Sequence, residues 1–200
     1  MIDQEMQHCR KIVRFDPTIS TANQGDFIIR NACEHVLHDC FPVQLSVAVP
    51  VRDRLSKVSM KHVGSADFAF VCGTNLLSSD MRRQRMWNIR LRDAMMMRCG
   101  DLHKRELLNF RLIREKFQRT HVILLGAGWY QYQDEPTGYT KRILKTLLDG
   151  QYLHAVRDEY TRQRLLKLGI TNVLNTACPT MWGLTATNAR RSRRTRRSAS

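Results

Sequence analysis

The stretch HVILLGAGWY, residues 121–130, decides the fold class. Its first five residues form a nearly continuous apolar run that ends at a glycine. Such a run is typical of a strand that is buried on both faces of a sheet. Strands of this kind occur in parallel sheets that helices cover on both sides.

Short β-branched runs alternate with longer helical patterns on both sides of this stretch. Further strands are predicted at residues 11–15, 45–49, 67–71, 152–156 and 173–176, and helices at 25–40, within 100–117, at 140–148 and at 158–168. This alternation predicts an α/β fold, a Rossmann-like parallel sheet with helices on both faces.

Length and composition allow one sizeable core. The chain has 200 residues, 42% of them hydrophobic, which is too short for two full domains. From residue 186 the composition shifts to Ala, Thr, Asn, Ser and Arg, so we expect one domain over 1–185 and a disordered Arg-rich tail over 186–200. No apolar stretch approaches the roughly 20 residues that span a bilayer, and we expect a cytoplasmic protein.

The formal net charge is +15, and six of the arginines lie in the last eleven residues. The rest of the chain is also basic, with a cluster formed by Arg82, Arg83, Arg85, Arg90 and Arg92. Such a charge suits an anionic substrate, an acidic membrane or nucleic acid equally well. The six cysteines lack zinc-ligand spacing, so no metal site and no cofactor are predicted.

Two candidate ligand-binding motifs follow the first and third predicted strands. Asn23, Gly25 and Asp26 begin a helix, where free backbone N–H groups can bind an anion; alternatively, Asn23 and Asp26 only cap that helix. The segment CGTNLL, residues 72–77, puts small and polar groups at the carboxyl edge of the sheet, or is an ordinary turn.

A third motif, GAGWY, lies at residues 126–130. It lacks the third glycine of a dinucleotide-binding loop, which argues against a dehydrogenase. Trp129, Tyr130 and Tyr132 could stack on a sugar ring, although packing is the default role of such residues.

The fourth motif is HAVRDEYT, residues 154–161. Its strand delivers Arg157 to the sheet edge, where a guanidinium can hold a carboxylate or phosphate by two hydrogen bonds. The alternative is a surface ion pair of Arg157 with Asp158 or Glu159. His154 could be a general acid, but a lone histidine in a strand is more often structural. All four motifs lie past predicted strands, which predicts a crevice for an anionic ligand.

Five blocks in this order resemble the polysaccharide pyruvyl transferase family. They are FDPTISTANQGDFII (15–29), CGTNLLSS (72–79), ILLGAGWYQYQ (123–133), HAVRDEYT (154–161) and NTACPTMWGLT (175–185). The resemblance implies a transferase that moves a pyruvyl group from phosphoenolpyruvate onto a cell-surface polysaccharide sugar as a cyclic ketal. It also implies one lobe of a two-lobed, glycosyltransferase-like architecture.

The resemblance further implies which residues bind substrate. Arg157 would be an anion-binding arginine, and the cleft would be lined by Asn23, Gly25, Asp26, Gly73, Thr74 and Asn75. No catalytic general acid is assigned within the 200 residues. The implied partners are phosphoenolpyruvate and a sugar acceptor, with peripheral contact to a membrane-linked acceptor and no specific nucleic acid.

The sequence departs from the family in two respects. Family members tend to have glycine where Cys72 and Ala177 stand. After residue 185 the family would continue into a second lobe, so we expect a truncated chain that is impaired or inactive as an enzyme. The alternative is a basic nucleic-acid-binding protein, although no nucleic-acid-binding module is recognised.

Overall fold

Six parallel strands form one sheet in the order β2-β1-β3-β4-β5-β6. The structure is a computed structural model that describes residues 9–53, 55–81, 113–115, 117, 119–130, 135–148, 150 and 152–184. The strands are β1 (Arg10–Asp16), β2 (Gln44–Pro50), β3 (Phe68–Leu77), β4 (His121–Trp129), β5 (His154–Val156) and β6 (Val173–Asn175). The helices are α1 (Gln24–Cys40), α2 (Lys57–Gly64), α3 (Gly138–Leu148) and α4 (Glu159–Lys167), followed by a 3-10 turn at Pro179–Met181.

The centre of the sheet is the pairing of β3 with β4. In this pairing Ala69 lies beside Val122 and Val71 beside Leu124, and all four side chains are buried. Burial of β4 is what its apolar run predicts, because a central parallel strand is covered on both faces.

Helices cover both faces of the sheet. On one face α1 packs Ile29, Cys33 and Leu37 against Phe70 and Leu125. A hydrogen bond with the Cys72 side chain, together with burial, raises the pKa of the Cys33 thiol far above its ordinary value, so this thiol stays protonated. On the opposite face α2, α3 and α4 contribute apolar side chains to the larger core, among them Val63, Ile143 and Leu165.

The predicted α/β fold is therefore confirmed, with three local differences. Strands β3 and β4 continue to Leu77 and Trp129, so the segments predicted as loops after them belong to the strands. Helix α2 has no counterpart among the predicted elements. Of the helix predicted within 100–117, residues 113–115 are helical and most of the rest lies outside the described residues.

The predicted tail at 186–200 also lies outside the described residues, so the domain boundary stays a prediction. Across the ranges that the structure describes, no helix is both long and apolar enough to span a bilayer.

His154 is a structural histidine at the start of β5. Its side chain is buried, its Nδ1 accepts a hydrogen bond from the Leu124 N–H (3.4 Å), and its Nε2 lies 2.9 Å from the Leu148 carbonyl oxygen. Both ring nitrogens are thus engaged when the imidazole is neutral, with the proton on Nε2. Burial lowers the pKa of His154 below its ordinary value because it disfavours the charged imidazolium.

This environment predicts a loss of stability in weak acid. Below about pH 6.5 the unfolded chain binds a proton at His154 that the folded chain still excludes, so the unfolding free energy falls as pH falls. The contribution is at most about 1.4 kcal/mol per pH unit. Urea denaturation at pH 7.5 and 5.5 measures it. His154→Gln should be less stable at pH 7.5 but lose less on acidification, whereas His35→Gln, at an exposed position, should keep the wild-type slope. Equal slopes in all three proteins would contradict the assignment.

Candidate functional site

The strand order reverses direction between β1 and β3. From β1 the chain moves outward to β2 on one side, and from β3 it moves through β4 and β5 to β6 on the other. In open α/β sheets the crevice beyond the carboxyl ends of the strands at such a reversal binds ligands. The predicted motifs lie along this edge.

Strand β3 carries a bulge near its carboxyl end. Thr74 pairs with Ala127 and Leu77 with Trp129, so β3 has one residue more than β4 between these pairs. Gly73 and Thr74 have φ values of 46° and 91°. For a β-branched residue such as Thr74 this conformation is strained. The segment predicted as a turn or a ligand-binding loop is therefore a distorted strand end.

Strand β4 carries a second bulge next to the first. Leu125 pairs with Ala155 and Ala127 with Val156, so Gly126 is the extra residue, with a φ of 73°. A methyl group on Gly126 would lie 2.2 Å from Cγ of Pro179. Gly126 thus lets the segment after β6 pack directly against the strand.

Arg157 and Asn75 meet over Gly128. A methyl group placed on Gly128 would lie 2.5 Å from Arg157 Cδ, 2.7 Å from Arg157 Nε and 2.8 Å from Asn75 Oδ1. The two polar side chains therefore flank the space that the glycine leaves open. Asn75 is exposed, Arg157 is about one-third exposed (32%), and Gly128 is buried beneath them. Of the predicted site residues, these two are brought together.

Arg157 is held at this position by two neighbours. Its backbone N–H donates to the Ala127 carbonyl at 3.0 Å, and its Nε lies 3.4 Å from Asp158 Oδ2. The other oxygen of Asp158 accepts a hydrogen bond from the Thr161 N–H at 2.7 Å and caps α4. The ion pair of Arg157 with Asp158, which formed the alternative interpretation, is thus present.

The residues predicted at the start of α1 have mostly structural partners. Asn23 Oδ1 accepts a hydrogen bond from the Gly25 N–H at 3.1 Å and caps α1. Asp26 is buried and accepts hydrogen bonds from Arg52 Nη1 (2.8 Å) and Thr21 Oγ1 (3.0 Å). The cap is the alternative considered for Asn23, whereas the buried Asp26 carboxylate forms an ion pair with the exposed Arg52 in place of a cap.

The two groups of residues follow different strands. Arg52, the partner of Asp26, comes after β2 and Arg157 comes after β5, and three strands lie between β2 and β5. The sequence did not suggest Arg52 because its partner is distant along the chain. Gly73 and Thr74 are buried near the carboxyl end of β3.

Of the predicted aromatic residues, Trp129 is a packing residue. It is buried in the core, and the Arg164 guanidinium lies 5.8 Å from its ring centroid. Tyr130 is 47% exposed at the end of β4, while Tyr132 lies outside the described residues.

Among the residues predicted at this edge, Arg157 is the candidate anion-binding group and His154 the candidate general acid. His154 is excluded from that role because it is buried with both ring nitrogens hydrogen-bonded. Within the described ranges, no group of three or more His, Cys, Asp or Glu side chains is arranged to hold a metal ion.

A family model described as "Polysaccharide pyruvyl transferase" matches residues 23–198. The chain belongs to the polysaccharide pyruvyl transferase family. The match covers all four motifs at the sheet edge and extends through the arginine-rich segment. No curated protein and no solved structure is significantly similar to the chain.

Family membership makes this protein a transferase relative whose acceptor is a sugar or polysaccharide. The nucleic-acid alternative depended on the arginine cluster at 82–92 and on the arginines after residue 189. Both lie outside the described residues, and no contact within the described ones favours that alternative.

The two departures from the pyruvyl transferase pattern, Ala177 and Cys72, occupy different structural environments. Ala177, where the resemblance implies glycine, has a φ of 61°. This left-handed conformation is one that glycine adopts without strain. Cys72 is buried in the core between α1 and the sheet, where glycine would leave a void.

Ala177→Gly should therefore stabilise the protein. Relief of the left-handed strain exceeds the added freedom of the unfolded chain, and we expect a gain of about 0.5–1 kcal/mol in the free energy of unfolding. Ala32→Gly, in the middle of α1, is the matched control and should lose about 1 kcal/mol. Chemical denaturation measures both, and a loss at position 177 would contradict the strain argument.

Gly128→Ala should displace Arg157 without unfolding the chain. The new methyl group would occupy the space of the Arg157 side chain, which can move outward, so we expect a stability cost of about 1 kcal/mol. The Arg157 Nε–H resonance in a 15N NMR spectrum should shift clearly. Gly138→Ala is the control, because its methyl group would meet nothing within 4 Å. An unchanged Arg157 resonance in Gly128→Ala would show that the cluster is not formed as described.

Proposed function

We propose that the chain binds phosphoenolpyruvate through Arg157 and takes part in transferring its pyruvyl group to a polysaccharide sugar. The observation that carries the proposal is the meeting of Arg157 and Asn75 over Gly128 at the carboxyl edge of the sheet. A guanidinium can form two parallel hydrogen bonds to a carboxylate or a phosphate, and phosphoenolpyruvate has both groups. Asn75 would supply an amide N–H donor beside it.

The proposed reaction forms a cyclic ketal. Two sugar hydroxyl oxygens bond to the central carbon of the pyruvyl group while its bond to the phosphate oxygen breaks. The methylene carbon of the donor takes up one proton, in balance with the first hydroxyl proton, and becomes a methyl group. The second hydroxyl proton leaves with the phosphate. Arg157 would stabilise the negative charge of the donor, and no residue is assigned as the general acid.

The location of the reaction is also part of the proposal. Phosphoenolpyruvate is made in the cytoplasm, so the chain would act there, in peripheral contact with a membrane-linked acceptor of exopolysaccharide biosynthesis. The basic surface favours both an anionic donor and an anionic membrane. The two-lobed architecture remains a prediction from the family.

Calorimetric titration of the full chain with phosphoenolpyruvate tests the donor site. We expect saturable binding that Arg157→Ala weakens at least tenfold, the usual effect of losing a charged hydrogen bond. Arg157→Lys should restore only part of the affinity, because an ammonium cannot form the two-pronged contact. Asn75→Asp should also weaken binding, since it adds a carboxylate beside the anion.

Arg162→Ala is the matched control for charge. Arg162 lies on the first turns of α4, is 35% exposed and is paired with Glu159 at 2.7 Å, so its loss removes one charge at similar exposure. Its affinity should stay within about twofold of wild type at 150 mM salt, where the Debye length is about 8 Å. An equal loss of affinity in Arg157→Ala and Arg162→Ala would show that the effect is one of overall charge and not of a specific contact. If the wild type does not bind phosphoenolpyruvate at millimolar concentration, the proposed donor site is refuted.

A further inference from the structure

The exposed face of helix α3 carries only basic charge. The residues of α3 that face the core are Tyr139, Thr140, Ile143, Leu144, Leu147 and Leu148. On the opposite side Lys141, Arg142 and Lys145 are exposed, and the helix contains no acidic residue. Lys141 and Lys145 are four residues apart, a spacing at which like charges on a helix repel each other.

Helix α4 shows how surface charge is usually neutralised within a helix. There Glu159 accepts hydrogen bonds from Arg162 at 2.7 Å and from Gln163 at 2.6 Å. In the part of the chain that the structure describes, no acidic side chain forms an ion pair with Lys141 or Lys145. An anion bound at α3 would therefore supply the neutralisation that α4 obtains from its own residues.

The basic face of α3 borders an open groove of about 520 Å³. Arg142, Lys145 and Thr146 line this groove from α3. Arg114 lines it from the helical residues 113–115. Three of these four side chains are cations and none is acidic, and the volume is in the range that accommodates a small organic ligand. The groove is thus an opening of suitable size with one sign of charge around it.

The groove lies at the other end of α4 from Arg157. Arg157 precedes α4, whereas Lys145 Nζ lies 4.0 Å from the position of a methyl group on Gly169, the residue that terminates this helix. The nine residues of α4 span about 14 Å. An anion in the groove would therefore occupy a different position from the donor proposed at Arg157.

We propose that this groove is a second anion-binding site, for a ligand that carries one or more phosphate groups. Guanidinium groups bind phosphate through paired hydrogen bonds, and an ammonium group adds a point charge. Three cations around one opening match the charge of nearly −2 and the several acceptor oxygens of a phosphate group better than the single charge of a carboxylate. The site does not depend on the proposed pyruvyl transfer.

The chemistry of the groove also narrows the kind of phosphate ligand. None of its lining residues is aromatic, so it lacks the base-stacking contacts with which proteins usually bind single-stranded nucleic acid. The phosphate group belongs either to a free phosphate ester or to the headgroup of an anionic membrane lipid. Both sources present the same group to Arg114 and Lys145, and binding to vesicles separates them.

Calorimetric titration of the full chain with inorganic pyrophosphate tests the site. The chain carries Arg157→Ala in this titration, so that the proposed donor site does not contribute and the two proposals can fail independently. We expect saturable binding that the added changes Arg114→Ala and Lys145→Ala together weaken at least tenfold, the usual effect of losing charged hydrogen bonds.

Lys57→Ala combined with Lys61→Ala is the matched control. Both lysines are exposed and lie four residues apart on α2, so their replacement removes the same amount of charge elsewhere on the surface. The affinity for pyrophosphate should stay within about twofold of the parent chain at about 150 mM salt, where the Debye length is about 8 Å. Thermal unfolding of each variant verifies that it is folded. An equal loss of affinity in the two double variants, or no saturable binding at millimolar pyrophosphate, would overturn the proposal.

Co-sedimentation with vesicles identifies the source of the phosphate group. The vesicles contain phosphatidylcholine with about 30% phosphatidylglycerol, which gives them a negative surface potential. If the ligand is a lipid headgroup, replacing Arg114 and Lys145 should weaken vesicle binding about tenfold, and pyrophosphate should compete with the vesicles. If the ligand is a free phosphate ester, this double variant should bind vesicles as well as the control with Lys57→Ala and Lys61→Ala. Either result, together with specific pyrophosphate binding, supports the site.

Discussion

The parallel pairing of β3 with β4 is the constraint on which the rest of the structure depends. These two strands lie at the middle of the sheet and supply buried side chains to both of its faces. Their regular ladder fixes the amino ends of the strands, and α1 and α3 pack against it from opposite sides. Each buried aliphatic side chain there contributes about 1.5–3 kcal/mol, so the ladder can tolerate distortion at one end.

That distortion occurs at the carboxyl ends, in two adjacent bulges. The bulge in β3 exposes Asn75, and Gly128 on β4 leaves the space that Asn75 and Arg157 share. The bulge at Gly126 admits Pro179. A side chain on Gly128 would separate the two polar groups. The site is therefore a property of the paired strands, in contrast to a loop motif that could be moved elsewhere.

The sequence predicted the elements well wherever hydrophobic periodicity was strong. The apolar run of β4 and the amphipathic pattern of α1 are examples, and Arg157 was found because a polar residue directly follows a strand. Helix α2 was not predicted, since KVSMKHVG has only one buried side chain, Val63. The strand end at Gly73, Thr74 and Asn75 was predicted as a turn or a ligand-binding segment, because Gly and Asn are depleted in strands.

Other features could not be read from the sequence, for a physical reason. The bulges arise from the relative register of strands about 50 residues apart (β3 and β4) and about 30 residues apart (β4 and β5), which no local pattern encodes. The pairing of Asp26 with Arg52 likewise joins segments that meet only after β1 and β2 align. Asn23 was placed correctly at a helix start, but the choice between cap and ligand contact required the 3.1 Å bond to Gly25.

Backbone strain is concentrated at the same edge as the polar cluster. Among the described residues with left-handed φ values, Ser20 follows β1, Gly73 and Thr74 end β3, Gly126 lies near the end of β4, and Ala177 follows β6. Gly169 differs, because it only terminates α4. Non-glycine residues held in this conformation cost about 1–3 kcal/mol each, and they persist where the surrounding structure over-determines them. Distortions that the surrounding structure maintains at the edge where Arg157 and Asn75 meet fit the ligand-binding site that we propose there.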